Sequence, residues 1–362
     1  MRPSDARPHK HPPAPPLTPP RLGRRAVLAG LGATLAAPAR AGRTRITLRL
    51  HHFLPPMAPM QTAVFEPWAA ALAEASEGGI DLQIFPAMQL GGRPPQLADQ
   101  ARSGIADLVW AMPAYTPRRF PVAETMGLPF MVTSAEQTSV ALHRLMTEFG
   151  GQDFAGTRPL AFWVHAGGKL HLRDAPVAGA ADLRGLKLRS PSASMGDLLA
   201  RLGAEPVFFP VTEMVTGLST GVIDGCCLPY EVVPAFRLQE LTRFSSEPDP
   251  GGRGLYGNSN VLLMNARRHD SLPADLRAVL DGLSGPDLSR RIGASFDRFE
   301  TAGRQVVLAQ GNTITPLPAA ELARWREAAL PVHADWIRVL EEAGLDGAAI
   351  LSRAEALLAA GV

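Results

Sequence analysis

Three basic side chains crowd the stretch LRGLKLRSP, Leu183 to Pro191, and one of them, Arg189, stands where a strand should end. In Leu186-Lys187-Leu188-Arg189 apolar and polar residues alternate with a period of two, the pattern of a short strand that buries one face and carries Lys187 and Arg189 on the other. Ser190-Pro191 stops that strand, because proline removes a ladder donor and biases the residue before it to extended backbone. Other strand-like segments end in Trp110, Tyr115, Trp163, His165 and Tyr230. Aromatic walls around one planar cation suit an organic carboxylate, since a guanidinium meets both carboxylate oxygens at once. In open α/β sheets ligands bind in the crevice beyond the carboxyl ends of the strands, and Arg189 occupies such an end.

Other chemistry is scarce. The chain has no HExxH, CxxC, GxSxG or P-loop, and no GxGxxG follows a strand. Beyond the first 41 residues, His51 with His52, and His165 with His171, are the close histidine pairs, and no third ligand is spaced to complete a metal site. Cys226 and Cys227 are neighbours, a spacing awkward for a disulfide, so they read as small buried hydrophobes at a strand end. No catalytic residue, cofactor or metal is expected.

The first 41 residues are a different material. A Pro-rich basic segment precedes the short apolar run AVLAGLGATLAA and the small-x-small pattern Ala39-Arg40-Ala41, which reads as a signal peptide cleaved near Ala41. Arg24-Arg25 ahead of a weakly hydrophobic core points to twin-arginine export, with the general secretory route as the alternative. The apolar run falls short of the roughly 18 residues needed to span a bilayer, so no membrane insertion of the mature chain is expected. Without the leader, 29 Lys and Arg face 33 Asp and Glu, a net charge of −4. A mildly acidic chain without a basic block is a poor partner for nucleic acid or anionic membrane.

The elements that would position these residues follow a β-α-β-α-β order: strands in RITLRLHHF, GIDLQIFP and IADLVWAMPAY, with helices over about Pro59–Ser76 and in PQLADQARSG. A second cycle runs through a strand and Gly-Gly turn in RPLAFWVHAGGKLHL, the GLKLRSP strand, the helix SASMGDLLARLG, the strand EPVFFP, the helix TEMVTGLSTG and the strand VIDGCCLPYEV. SGIADLVWAMPAY and TGVIDGCCLPYEV share a helix-ending glycine (Gly104, Gly221), a strand-opening aspartate (Asp107, Asp224) and a closing proline and tyrosine, as two related lobes would show. After the strand in YGNSNVLLMN the sequence reads as largely helical, with one long helix from Pro286 to Gln310 and further helices from Pro318 to Ala359.

Four stretches carry a family resemblance: MQLGGRPPQLADQARSGIADL, FPVAETMGLPF, ADLRGLKLRSPSASMGDLLARLGAEPV and GLSTGVIDGCCLPYE. In this order and spacing the chain resembles the exported solute-binding proteins of tripartite ATP-independent (TRAP) transporters, the DctP-like family, over nearly all of residues 45 to 355. The resemblance implies a two-lobed α/β periplasmic-binding-protein fold, with a mixed, mostly parallel sheet in each lobe, a hinge between them and a long bracing helix. Lobe I is expected to comprise 42–165 plus about 254–290; lobe II, 166–253 plus about 291–362 with the C-terminal bracing helices. By the same resemblance Arg189 forms a two-pronged salt bridge with a ligand carboxylate, which leaves Arg184 and Lys187 at the surface.

One departure stands out. Many relatives carry a second arginine about twenty residues before the first, where this chain reads WVHAGGKLHLR, with Gly168 near the position and Lys169 beside it. A lysine supplies a point charge and not a fork, so a monocarboxylate is favoured over a C4-dicarboxylate, with an aromatic or hydroxylated body resting on Trp110, Tyr115 and Tyr230. His165, Lys169 and Glu231 complete the expected ligand-binding set, Glu231 as acceptor of a ligand hydroxyl or amine. The implied protein is a periplasmic receptor that closes its lobes on an organic acid and delivers it to a membrane permease. The alternatives are an exported cofactor-dependent enzyme and the receptor of an ABC importer.

Overall fold

The computed structural model describes residues 45–248 and 254–361. The expected signal peptide lies outside them. Eleven strands appear in chain order: β1 (Ile46–His51), β2 (Ile80–Phe85), β3 (Leu108–Ala111), β4 (Thr157–Val164), β5 (Lys169–Leu172), β6 (Lys187–Ser190), β7 (Glu205–Phe208), β8 (Gly225–Leu228), β9 (Phe244–Glu247), β10 (Ser259–Asn265) and β11 (Thr313–Pro316). They form two sheets, β2-β1-β3-β10-β4 and β11-β9-β5-β8-β6-β7, the centres of a two-lobed α/β fold. Both sheets are mixed. The second pairs three neighbours parallel and two antiparallel, whereas the first is evenly divided because β10 runs antiparallel to both β3 and β4.

The sequence parallel between the two lobes has a structural cause. Gly104 and Gly221 both take left-handed backbone after a helix, at φ 82° and 71°. The aspartate three residues later then accepts the backbone N–H of the neighbouring parallel strand, Asp107 from Arg49 at 2.9 Å and Asp224 from Lys187 at 2.8 Å. Each carboxylate thus satisfies a donor at the open start of a ladder.

The chain crosses between the sheets at 165–168, from β4 to β5, and returns between β9 and β10, where it is described from Gly254 on. Gly167-Gly168 therefore lies in a crossing segment and is not a turn inside one sheet. The two crossings run together: Gly168 N–H donates to Tyr256 O at 2.8 Å and Leu255 N–H to Gly168 O at 3.3 Å. Gly168 has no room for a side chain, because a Cβ there would stand 2.0 Å from Cε1 of Tyr256.

The long helix Gly285–Ala309 packs on the helix Ala135–Phe149 and on β4 of the first lobe, and on the turn Tyr230–Val232 of the second. It is continuous through 290–291, where the sequence placed a lobe boundary. At Gly303 it lies against the Tyr230 backbone, with only 2.1 Å between a built Cβ and Tyr230 O. The helices Ala319–Glu342 and Gly347–Ala359 follow, the latter packed on Ala135–Phe149 in the first lobe. Patterning overlooked the helix Ala135–Phe149 and the strand β9, FSSE, whose two serines are buried in place of apolar residues. Among the described residues no helix is long and apolar enough to cross a membrane.

Candidate functional site

Arg189 stands one residue before the end of β6 and is only 2% exposed, while Arg184 and Lys187 are exposed. Its guanidinium is fixed by two backbone carbonyls: Nε donates to Phe209 O at 3.0 Å and Nη1 to Cys227 O at 3.1 Å. No carboxylate of the described residues stands within ion-pair distance of it. A buried cation held in place by neutral groups has most of its field available to an outside anion.

Arg189 lines a cleft of about 410 Å³, counting its solvent-open mouth. Of the residues expected at the site, Trp110, Tyr115, His165 and Glu231 share this cleft with Arg189, joined by Phe53, Leu54, Met112, Val211 and Phe296. Trp110 packs in a tilted arrangement 4.6 Å from Phe53 and 5.6 Å from Trp163, and its Nε1 donates to Asn260 Oδ1 at 2.8 Å. Tyr115, on the turn after β3, accepts the Val211 N–H at 3.0 Å and so ties the first lobe to the segment after β7. Burial raises its hydroxyl pKa, which the Arg189 charge opposes.

His165 lines the cleft, but both ring nitrogens are taken. Nδ1 donates to Ala166 O at 2.5 Å and Nε2 accepts the Asn258 N–H at 3.0 Å, an arrangement that requires the neutral ring. Burial lowers its pKa to about 4. Glu231 is buried rather than solvated: burial first, and then the nearby Glu300, push its carboxyl up to about 8. Both groups are neutral near pH 7, leaving Arg189 as the charge that faces the cleft.

Lys169 and Tyr230 turn away from the cleft. The Lys169 ammonium bonds Glu300 and Gly167 O, and sits 5.2 Å over the Tyr230 ring. Tyr230 is fully buried, edge-on to His171 at 5.2 Å. Its counterpart Tyr115 faces ligand space because the turn after β3 opens on the cleft, whereas the turn after β8 is pressed under the long helix at Gly303. His51, His52 and His171 are buried and hydrogen-bonded, and Cys226 and Cys227 are buried free thiols, that of Cys226 pushed up to about 12 by burial. Among the described residues no three His, Cys, Asp or Glu side chains stand where they could hold a metal ion.

Of the cleft residues that escaped sequence reading, Tyr256, Asn258 and Asn260 carry polar groups; they lie on the returning crossing segment and the first residues of β10. The signal available was YGNSN, aromatic and amide side chains ahead of an apolar strand, which read only as a lead-in. Asn260 Nδ2 donates to Asn258 O at 2.9 Å, so the Trp110, Asn260, Asn258 and His165 groups form one continuous chain of hydrogen bonds along the crossing.

Known proteins resemble this chain across most of its length. A TRAP solute-binding protein from Rhodoferax ferrireducens T118, solved with copurified benzoate, is 41% identical, with a TM-score of 0.85 over 87% of this chain and 98% of that one. A marine-metagenome TRAP solute-binding protein specific for aromatic acid ligands, solved with 3-hydroxybenzoate, is 39% identical, with a TM-score of 0.85 over 87% and 98% of the two chains. The C4-dicarboxylate-binding periplasmic protein DctP of Rhodobacter capsulatus is 27% identical over 86% of this chain and 93% of its own. Residues 50–338 match the family described as bacterial extracellular solute-binding protein, family 7. The chain therefore belongs to the DctP family, and is a solute-binding protein of the TRAP type.

Proposed function

We propose that the protein captures an aromatic monocarboxylate, with the carboxylate on Arg189 and the ring between Trp110, Phe53 and Tyr115. The observation that carries this reading is a buried, rigidly held guanidinium without an acidic partner among the described residues, in a cleft walled by aromatic side chains. The count of charges supports one carboxylate rather than two. Lys169, the other cation nearby, is neutralised by Glu300, and His165 is neutral. Relatives at 39–41% identity hold benzoate and 3-hydroxybenzoate.

The lobes are built on the two sheets, with the crossings from β4 to β5 and from β9 to β10 acting as the hinge and the long helix Gly285–Ala309 bracing both. Ligand contacts from both sides favour the closed state. The protein is exported on the leader 1–41, works in the periplasm and hands its ligand to a TRAP permease.

Calorimetry with benzoate, 3-hydroxybenzoate and succinate tests the ligand class. At 100 times Kd the preferred acid raises stability by about 2.7 kcal/mol, which a thermal melt detects. Tighter binding of succinate than of either aromatic acid refutes the reading.

A further inference from the structure

Tyr256 is completely buried, and its hydroxyl has no hydrogen-bond partner among the described residues. An unpaired buried hydroxyl is costly, and this one lines the cleft with Arg189. Its ring is held on two sides, edge-on to His165 at 5.3 Å and pressed against Gly168, and its own carbonyl accepts the Gly168 N–H at 2.8 Å. The hydroxyl is thus as firmly placed as the guanidinium.

The neighbouring groups decide what it meets. Burial raises the Tyr256 pKa well above its ordinary value, with the Arg189 charge acting in the opposite direction, so the group stays a protonated donor within the field of the guanidinium. Asn258 Oδ1 is also unpartnered, but an amide oxygen is an acceptor, and the Asn258 Nδ2 on the same side chain is a weaker claimant than a hydroxyl left wholly unpaired. Glu231 also lines the cleft, but it stands beside Glu300, whose carboxylate is paired with Lys169. The Trp110 and His165 donors are already spent, and one of the two Asn260 amide hydrogens is held by Asn258 O.

We propose that Tyr256 donates its hydroxyl hydrogen to the ligand carboxylate beside Arg189, as a specificity-determining residue that fits the site to a single carboxylate. The inference rests on the aromatic-acid reading above. It gives the carboxylate a charged fork and a neutral donor in place of a second cation, a pairing that suits one negative charge.

The test is calorimetry of benzoate and 3-hydroxybenzoate on the parent and on Tyr256→Phe, with a thermal melt of each unliganded protein. The substitution removes an unpaired hydroxyl and keeps the ring, so the unliganded melt should be unchanged or raised. Both acids should bind about ten- to a hundredfold more weakly, by the same factor, as expected for a lost hydrogen bond to a charged group. Unchanged benzoate affinity overturns the proposal, as does a loss confined to 3-hydroxybenzoate, which would make Tyr256 a reader of the ring hydroxyl. If the parent binds neither acid, the aromatic-acid reading falls and this inference with it; if the parent binds both and Tyr256→Phe matches it, only the inference falls.

Discussion

Replacing Arg189 separates its two tasks. Two of its five N–H groups hold Phe209 O and Cys227 O, and the guanidinium also faces the Tyr115 hydroxyl. In Arg189→Ala the two carbonyls lose their donor, at about 1 to 3 kcal/mol for each that stays buried and unpaired, while the removal of a buried cation offsets part of that loss. The effect on the fold is therefore a difference of opposing terms. The effect on binding has one sign: a carboxylate brought into a desolvated site without its partner loses about 3 to 5 kcal/mol, a factor of about 10² to 10⁴ in Kd. Arg189→Lys keeps the charge, but one ammonium cannot hold both carbonyls and both ligand oxygens, so an intermediate loss is expected. Lys187→Ala, on the same strand but exposed, serves as control. The assay is calorimetry with benzoate, with a thermal melt to establish that each variant is folded. A folded Arg189→Ala that binds within about threefold of the parent refutes the assignment of the carboxylate to Arg189.

Lys169→Ala should act on stability instead of binding: it strands the Glu300 carboxyl, whose side chain is 14% exposed, and should lower the urea-unfolding free energy by about 3 to 5 kcal/mol while leaving benzoate affinity within about threefold. Binding lost without loss of stability would mean that the ammonium reaches the ligand after all. Glu231 has a folded pKa raised from 4.5 to about 8, so the native state keeps a proton that the unfolded chain has shed, and this group's contribution to stability declines as pH rises from about 4.5 to 8. Buried His52, His165 and His171, each lowered to about 4, act oppositely below 6.5, so the informative quantity is the difference from Glu231→Gln: urea melts should show the variant gaining on the parent between pH 5 and 8, and parallel pH profiles would place the Glu231 carboxyl in water. Arg93 reaches from the segment after β2, in the first lobe, to Glu213 beyond β7, in the second, at 2.5 Å. Both side chains are substantially exposed, so the pair contributes about 0 to 1 kcal/mol, and Arg93→Ala should speed ligand release in stopped flow by up to about fivefold at low salt and not at 1 M. An unchanged rate at low salt would remove the pair from any role in closure.

Most of the strand and helix order, the long helix and the place of Arg189 near a strand end were legible in the residues themselves. Alternation, helix-ending glycines and the Ser-Pro stop are local signals, and a strand end is a local fact that brings its own consequence for where Arg189 lies. The aspartates after Gly104 and Gly221 were visible as a repeated pattern, although their task, holding the first N–H of a neighbouring strand, needed the sheet to be seen. The buried serines of β9 gave no alternation to read, because their hydroxyls are satisfied by partners such as Val177 O and His171 that lie far away in sequence.

The rest of the site was decided by tertiary structure, since each remaining role depends on a partner remote in the chain. Lys169 looks like a spare cation until Glu300, on the long helix, arrives beside it. Tyr115 and Tyr230 occupy matching places in related segments, yet only the first faces the cleft, because the helix covers the second at Gly303. Glu231 reads as a loop carboxylate and becomes a neutral buried acid through packing and Glu300. Tyr256 and Asn258 enter the site because the chain crosses between the lobes twice and the crossings lie side by side, a pairing of residues about 90 positions apart that no local pattern records. Sequence settles which chemical groups are available at the strand ends; burial and long-range pairing settle which of them remain free to meet a ligand.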